Sequence, residues 1–120
     1  MPPTRQSSAS LPLAPAVYLI LLALADGDAH GYRIRAEVID RSDGTVALDP
    51  GSLYRLIARL SDDGVITEAP TRPKAGDDDQ RRRYYRLTPL GTRLLQAETN
   101  RMSDLVAVAR SKAIKPVRPA

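Results

Sequence analysis

A helical period dominates the apolar pattern of this chain, broken by glycine, proline and short basic runs. Leu53, Leu56, Ile57 and Leu60 follow i, i+3, i+4, i+7 spacing, which predicts a helix with one buried stripe. Asp49 is placed to cap it, and Pro50 suits its first position, where the missing N–H costs nothing. At about 100° per residue, Gly51, Arg55, Ala58, Arg59 and Asp62 fall opposite the stripe. Short residues beside two arginines let such a face approach another surface closely. Gly64 ends the helix where a left-handed conformation is usually needed.

Upstream, Pro15–Ala25 reads as a helix that is apolar all round apart from the Tyr18 hydroxyl. A helix without a polar face must be covered on every side, and in a small domain that implies a partner subunit. Asp26-Gly-Asp-Ala reads as a turn. His30–Arg41 forms a second helix, with Ile34 and Val38 inward and Arg33, Glu37, Asp40 and Arg41 outward. After the Ser42-Asp-Gly break, Thr45–Leu48 is a candidate short strand.

Downstream, Val65–Ala69 and Arg81–Leu87 read as two strands of a hairpin, with Pro70–Gln80 as its tip. Thr88-Pro89 repeats the capping signal and opens a last helix to about Lys112, roughly 36 Å long at 1.5 Å per residue. Leu90, Leu94, Met102, Leu105 and Ala109 lie along one side of it, interrupted at Glu98, so it is not a regular coiled coil. Residues 1–10 and 113–120 have the composition of disordered tails. The expected fold is mainly α with a small β-wing. A winged helix-turn-helix unit occupies residues 11–88, and a dimerisation helix occupies residues 89–112. Tyr18, Leu21, Leu22, Leu90, Leu94, Met102, Leu105 and Ala109 are the expected dimer contacts.

At 120 residues the chain is one domain with a modest core. Its net charge of +4 suits nucleic acid or an anionic membrane, and arginine supplies nearly all of the positives. The Leu11–Ala25 run imitates a secretory signal, with Arg5 as its basic start. Pro12 and Pro15 interrupt it, and its loss would remove a helix the other amphipathic segments need. It is also shorter than the ~20 apolar residues of a membrane span. A cytoplasmic protein is expected.

Chemistry is sparse. Cysteine is absent and His30 is the single histidine, which excludes thiolate catalysis and multi-histidine metal sites. His30 reads as a capping or packing residue at the entry to its helix. Asp77–Asp79 lack EF-hand spacing and read as a solvated loop tip. No phosphate-binding glycine loop or nucleophile elbow occurs. No enzyme activity, metal or cofactor is expected.

What remains is charge on the predicted frame. From Arg72 to Arg86 the chain carries six positive and three negative groups, with the negatives together at the tip. The wing strands can therefore present Arg72, Lys74, Arg81, Arg82 and Arg83 to phosphate. On the helix, Ser52, Tyr54, Arg55 and Arg59 are the candidates for contact with double-stranded DNA. Arginine reads guanine bidentately, whereas serine and tyrosine more often hold phosphate. The rival reading is a winged helix used only for protein–protein contact, with these arginines as a solvated face.

Three blocks together resemble the PadR family of bacterial transcriptional regulators. They are His30-Gly-Tyr-Arg-Ile34, Gly51-Ser-Leu-Tyr-Arg-Leu-Ile57 with Leu60 and Gly64-Val-Ile66, and Tyr84-Tyr-Arg-Leu-Thr-Pro-Leu-Gly91. The similarity spans roughly residues 12–110, and the single C-terminal helix resembles the smaller members. It implies a winged-helix repressor that dimerises through its first and last helices, and a two-fold dimer is expected to bind an inverted-repeat operator. It also implies a recognition helix at residues 50–63 and a wing at 67–86. A small-molecule effector between subunits is implied as well, although the chain has no Trp or Phe to stack on one. Arg55 stands where many members have proline, which adds a cation to the expected DNA face.

Overall fold

The computed structural model describes residues 10–70 and 83–114. Four helices and three strands follow one another as α1 (Pro15–Ala23), β1 (Ala29–His30), α2 (Gly31–Arg41), α3 (Pro50–Asp62), β2 (Ile66–Glu68), β3 (Tyr84–Leu87) and α4 (Pro89–Ser111). The strands form one antiparallel sheet in the order β1-β3-β2. Ile66 lies opposite Leu87 and Glu68 opposite Tyr85, while Ala29 and His30 pair with Tyr85 and Tyr84.

Helix α1 packs against α2 and α4. Val17, Ile20 and Leu21 from α1 meet Ile34 and Val38 from α2, Leu53, Ile57 and Leu60 from α3, and Tyr85 and Leu95 beyond them. Each such aliphatic side chain contributes roughly 1.5–3 kcal/mol on burial. The covering that an all-apolar α1 requires thus comes largely from its own chain.

Local signals set the helix ends. The Asp49 carboxylate accepts the Ser52 N–H at 2.8 Å and Pro50 follows it, so α3 starts where capping chemistry dictates. At its other end Gly64 takes φ +76°, the Val65 N–H reaches the Leu60 carbonyl and the Gly64 N–H reaches that of Ser61. That pair of hydrogen bonds closes the helix and aims the chain into β2. His30 caps α2, its Nδ1 accepting the Arg33 N–H at 3.2 Å. Thr88 caps α4 by accepting the Gly91 N–H, and donates to the Gly64 carbonyl at 2.6 Å. That bond fastens α4 to the end of α3.

The strand expected at Thr45–Leu48 is absent, and β1 takes the third place in the sheet. The segment is tied to α2 instead. Ser42 Oγ donates to the Val38 carbonyl and accepts the Val46 N–H at 3.0 Å, while Thr45 Oγ1 donates to the Ser42 carbonyl at 2.7 Å. Arg35 Nε donates to the Leu48 carbonyl at 2.6 Å, which holds the chain just before the α3 cap.

Helix α4 packs on the core through Gly91, Leu95 and Glu98. Glu98 is only 2% exposed, and the interruption in the apolar stripe is therefore an inward-facing charge. It accepts the Leu13 N–H at 3.1 Å and pairs with Arg101 through contacts of 2.6 and 2.9 Å. From Ser103 to Val108 every residue is exposed.

Candidate nucleic-acid interface

Burial of Leu53, Ile57 and Leu60 turns the other side of α3 outward, so Gly51, Tyr54, Arg55, Ala58, Arg59 and Asp62 are all exposed. Arg59 stands in the last turn and has no ion pair among the described residues. Ser52 is half-buried. Its hydroxyl lies 3.1 Å from Asp49 Oδ2 and accepts from Arg55 Nη2 at 3.1 Å. Arg55 is therefore held at the start of the helix, and the Ser52 N–H and hydroxyl, with the Arg55 charge, keep the Asp49 carboxyl below its ordinary pKa.

Tyr54 is 49% exposed, yet its position is tightly bounded. Its ring lies over Gly31, and a Cβ on residue 31 would overlap the Tyr54 hydroxyl and ring. The first and second sequence blocks thus meet in space, with Tyr54 seated at the start of α2 beside the His30 cap.

The base of the wing stands across a groove from α3. Tyr54, Ile57, Ala58 and Ser61 line one side, and Ile66, Glu68, Arg83 and Tyr85 the other. Arg83 is exposed immediately before β3. Burial pushes the Tyr85 phenol above its ordinary pKa, and the neighbouring Arg83 guanidinium pulls against that shift. Arg86, one of the six wing cations, is taken up elsewhere, with Nε and Nη2 donating to the two oxygens of Asp28 at 3.2 and 2.8 Å. Arg72, Lys74, Arg81, Arg82 and the Asp77–Asp79 tip lie outside the described residues.

The expected dimer residues divide into three groups. Leu21 is fully buried in the protomer's own core and has no surface to share. Tyr18, Leu22 and Leu94 are half-buried against that core, and Tyr18 donates to Thr99 Oγ1 at 2.7 Å, because the Thr99 hydroxyl itself donates to the Leu95 carbonyl. Met102 and Ala109 are half-exposed, and Leu90 and Leu105 are exposed, Leu105 to 56%. Val106, Val108 and Ile114 add exposed apolar surface that the predicted stripe left out. Among the described residues no helix is long and apolar enough to cross a membrane, and no group of His, Asp or Glu is placed to hold a metal ion.

Residues 20–97 match the transcriptional regulator PadR-like family. The chain belongs to that family. Its fold is a winged helix-turn-helix, with α2 and α3 as the helical pair and β2 and β3 as the base of the wing. This PadR-like regulator is 27% identical to a transcriptional regulator from Clostridium thermocellum, with a TM-score of 0.62 over 83% of this chain and 90% of that one. Bacillus subtilis PadR, solved in complex with operator DNA, is 25% identical with a TM-score of 0.56 over 68% of this chain and 44% of that one. An uncharacterised 37.1 kDa protein of a Streptomyces fradiae transposon is 41% identical over 72% of this chain, which spans 23% of that protein.

The sequence placed His30 at a cap and Arg55 and Arg59 on the outward face of α3. It missed the Ser52 bridge, the Gly31 seat for Tyr54 and the withdrawal of Arg86. The Asp49-x-x-Ser52-x-x-Arg55 spacing was the available signal for the bridge, since residues three apart share a helical face.

Proposed function

We propose that this PadR-like regulator is a homodimeric repressor that binds an inverted-repeat operator in the cytoplasm, with α3 as its recognition helix. Residues 11–88 are the DNA-binding unit and residues 89–112 the dimerisation helix. The observation that carries the reading is the outward face of α3, where Arg55 and Arg59 are exposed, with the exposed Arg83 at the base of the wing across the groove from Tyr54 and Ala58. Arg55 and Arg59 read base edges and Tyr54 positions the helix on phosphate, while Ser52, whose N–H and hydroxyl are both turned to Asp49, serves by holding Arg55. Arg72, Lys74, Arg81, Arg82 and Arg83 hold the backbone from the wing. The exposed Leu105-Val-Ala-Val108 run and Met102 join two copies, with Leu90, Leu94, Ala109, Tyr18 and Leu22 contributing at the edges.

A two-fold dimer presents two recognition helices, so half-site centres lie about one helical turn, ~34–36 Å, or a multiple of it apart. A small-molecule effector bound between subunits would meet the open groove of about 410 Å³ lined by Tyr18, Leu19, Val46 and Met102.

The test is a titration of the duplex that the protein enriches from a random library against a scrambled duplex, at several salt concentrations. Arg55→Ala or Arg59→Ala is expected to cost roughly 1–3 kcal/mol on the enriched duplex alone. Replacing Arg82 and Arg83 together weakens both duplexes alike. It also lowers the slope of log affinity against log salt by about one unit for each phosphate no longer neutralised. If neither set changes affinity or slope, the arginines are a solvated face and the protein-contact reading replaces this one.

A further inference from the structure

Asp49 does more than cap α3. A cap needs one acceptor for the Ser52 N–H, which serine or asparagine supplies as well as aspartate. Only Oδ1 is used for that, at 2.8 Å. Oδ2 is turned to the Ser52 hydroxyl at 3.1 Å, and the same hydroxyl oxygen faces Arg55 Nη2 at 3.1 Å.

The direction of every bond in this chain is forced. An ionised carboxylate accepts and never donates, and a guanidinium donates and never accepts. The Ser52 hydrogen must therefore point to Asp49, which leaves its lone pairs for Arg55. We infer that Asp49 is a positioning residue for sequence readout, acting through Ser52 to fix the guanidinium of Arg55.

This inference rests on the reading of α3 as the recognition helix and of Arg55 as a base reader. The Asp49 carboxylate is also an anion on a face that meets phosphate, so its charge opposes non-specific binding. Removing the charge and losing the positioning thus have effects of opposite sign, which makes them separable.

The experiment compares Asp49→Asn, Ser52→Ala, Arg55→Ala and the double variant Asp49→Asn/Arg55→Ala in the full chain. The probes are the duplex enriched by the wild type and a scrambled duplex of the same length. Asparagine keeps the cap through its oxygen, but its amide donates to Ser52 and displaces the ordered hydroxyl. Asp49→Asn is expected to leave the thermal midpoint nearly unchanged and to lower preference for the enriched duplex roughly 2–10-fold, the net worth of one hydrogen bond. Ser52→Ala, which retains the backbone cap, is expected to give a similar loss. In the Arg55→Ala background Asp49→Asn has no further effect on preference.

An equal gain in affinity for both duplexes would show Asp49 to be a simple charge and overturn the inference. So would an undiminished loss of preference in the Arg55→Ala background. If Arg55→Ala lowers preference while Asp49→Asn does not, the positioning role falls and the base-reading role stands. If Arg55→Ala itself leaves preference intact, both fall together.

Discussion

The ring of Tyr54 fills the space that a side chain on residue 31 would need. Two residues of separate sequence blocks are therefore one structural unit. Gly31 lets α3 lie close to the start of α2, and Tyr54 closes the contact while keeping half its surface outside.

Gly31→Ala is expected to expel the Tyr54 ring and cost roughly 1–3 kcal/mol, as overpacking does. In a Tyr54→Ala background the clash has no partner. The same substitution should then be neutral or stabilise by about 0.4–1 kcal/mol through the unfolded chain. Denaturant midpoints of the four proteins in this cycle check the coupling, and additive effects would refute it.

Gly91 is tighter in kind. A Cβ there would overlap the Val65 carbonyl oxygen, which also accepts the Thr88 N–H at 3.1 Å. A side chain can rotate away, but this carbonyl cannot. Gly91→Ala is expected to lose at least as much stability as Gly31→Ala, at the upper end of roughly 1–3 kcal/mol. No change at a second site should rescue it. Urea unfolding with an unchanged m-value would report the loss.

Glu98 makes stability depend on acid. Arg101 beside it, and then the Leu13 N–H, hold its carboxyl below the ordinary value of 4.5 against the opposing effect of burial. The unfolded chain thus takes up a proton before the folded one does. The contribution is complete above the unfolded value and is lost as pH falls through the depressed folded value. Glu98→Gln is expected to be less stable than wild type at neutral pH, with the gap closing below about pH 4.5. Thermal midpoints from pH 7 down to 3 would measure it, and a gap independent of pH would contradict the assignment.

Leu105 and Leu94 separate assembly from folding. Leu105 is exposed in the protomer, whereas Leu94 packs against its core. Leu105→Glu should leave a folded protomer whose dimerisation is weakened at least tenfold, about 1.4 kcal/mol, by an unpaired charge in an apolar contact. Leu94→Glu should lower the stability of the protomer as well. Sedimentation together with circular dichroism distinguishes them, and a wild type that sediments as a folded monomer would sink the dimer reading.

Features whose energies are local were legible in the amino-acid order. Asp49-Pro50, Thr88-Pro89 and Gly64 mark helix ends through bonds spanning three to five residues, and the 3.6-residue period alone turns Arg55 and Arg59 away from Leu53, Ile57 and Leu60. The helical half of the candidate site was therefore readable before any packing was known.

Tertiary structure decided whatever depends on a distant partner. Ala29–His30 is too short to show a strand period and becomes one only because β3 arrives beside it. Arg86 counts only as one of six wing cations until the fold brings Asp28 to it from 58 residues away. Glu98 looks like a break in an apolar stripe until Leu13, 85 residues earlier, offers it an N–H. The all-apolar α1 demanded cover, but only packing could assign most of that cover to α2 and α4 and leave Leu105, Val106 and Val108 exposed on α4. Capping and periodicity are set by neighbours in the chain, whereas burial and ion pairing are set by neighbours in space.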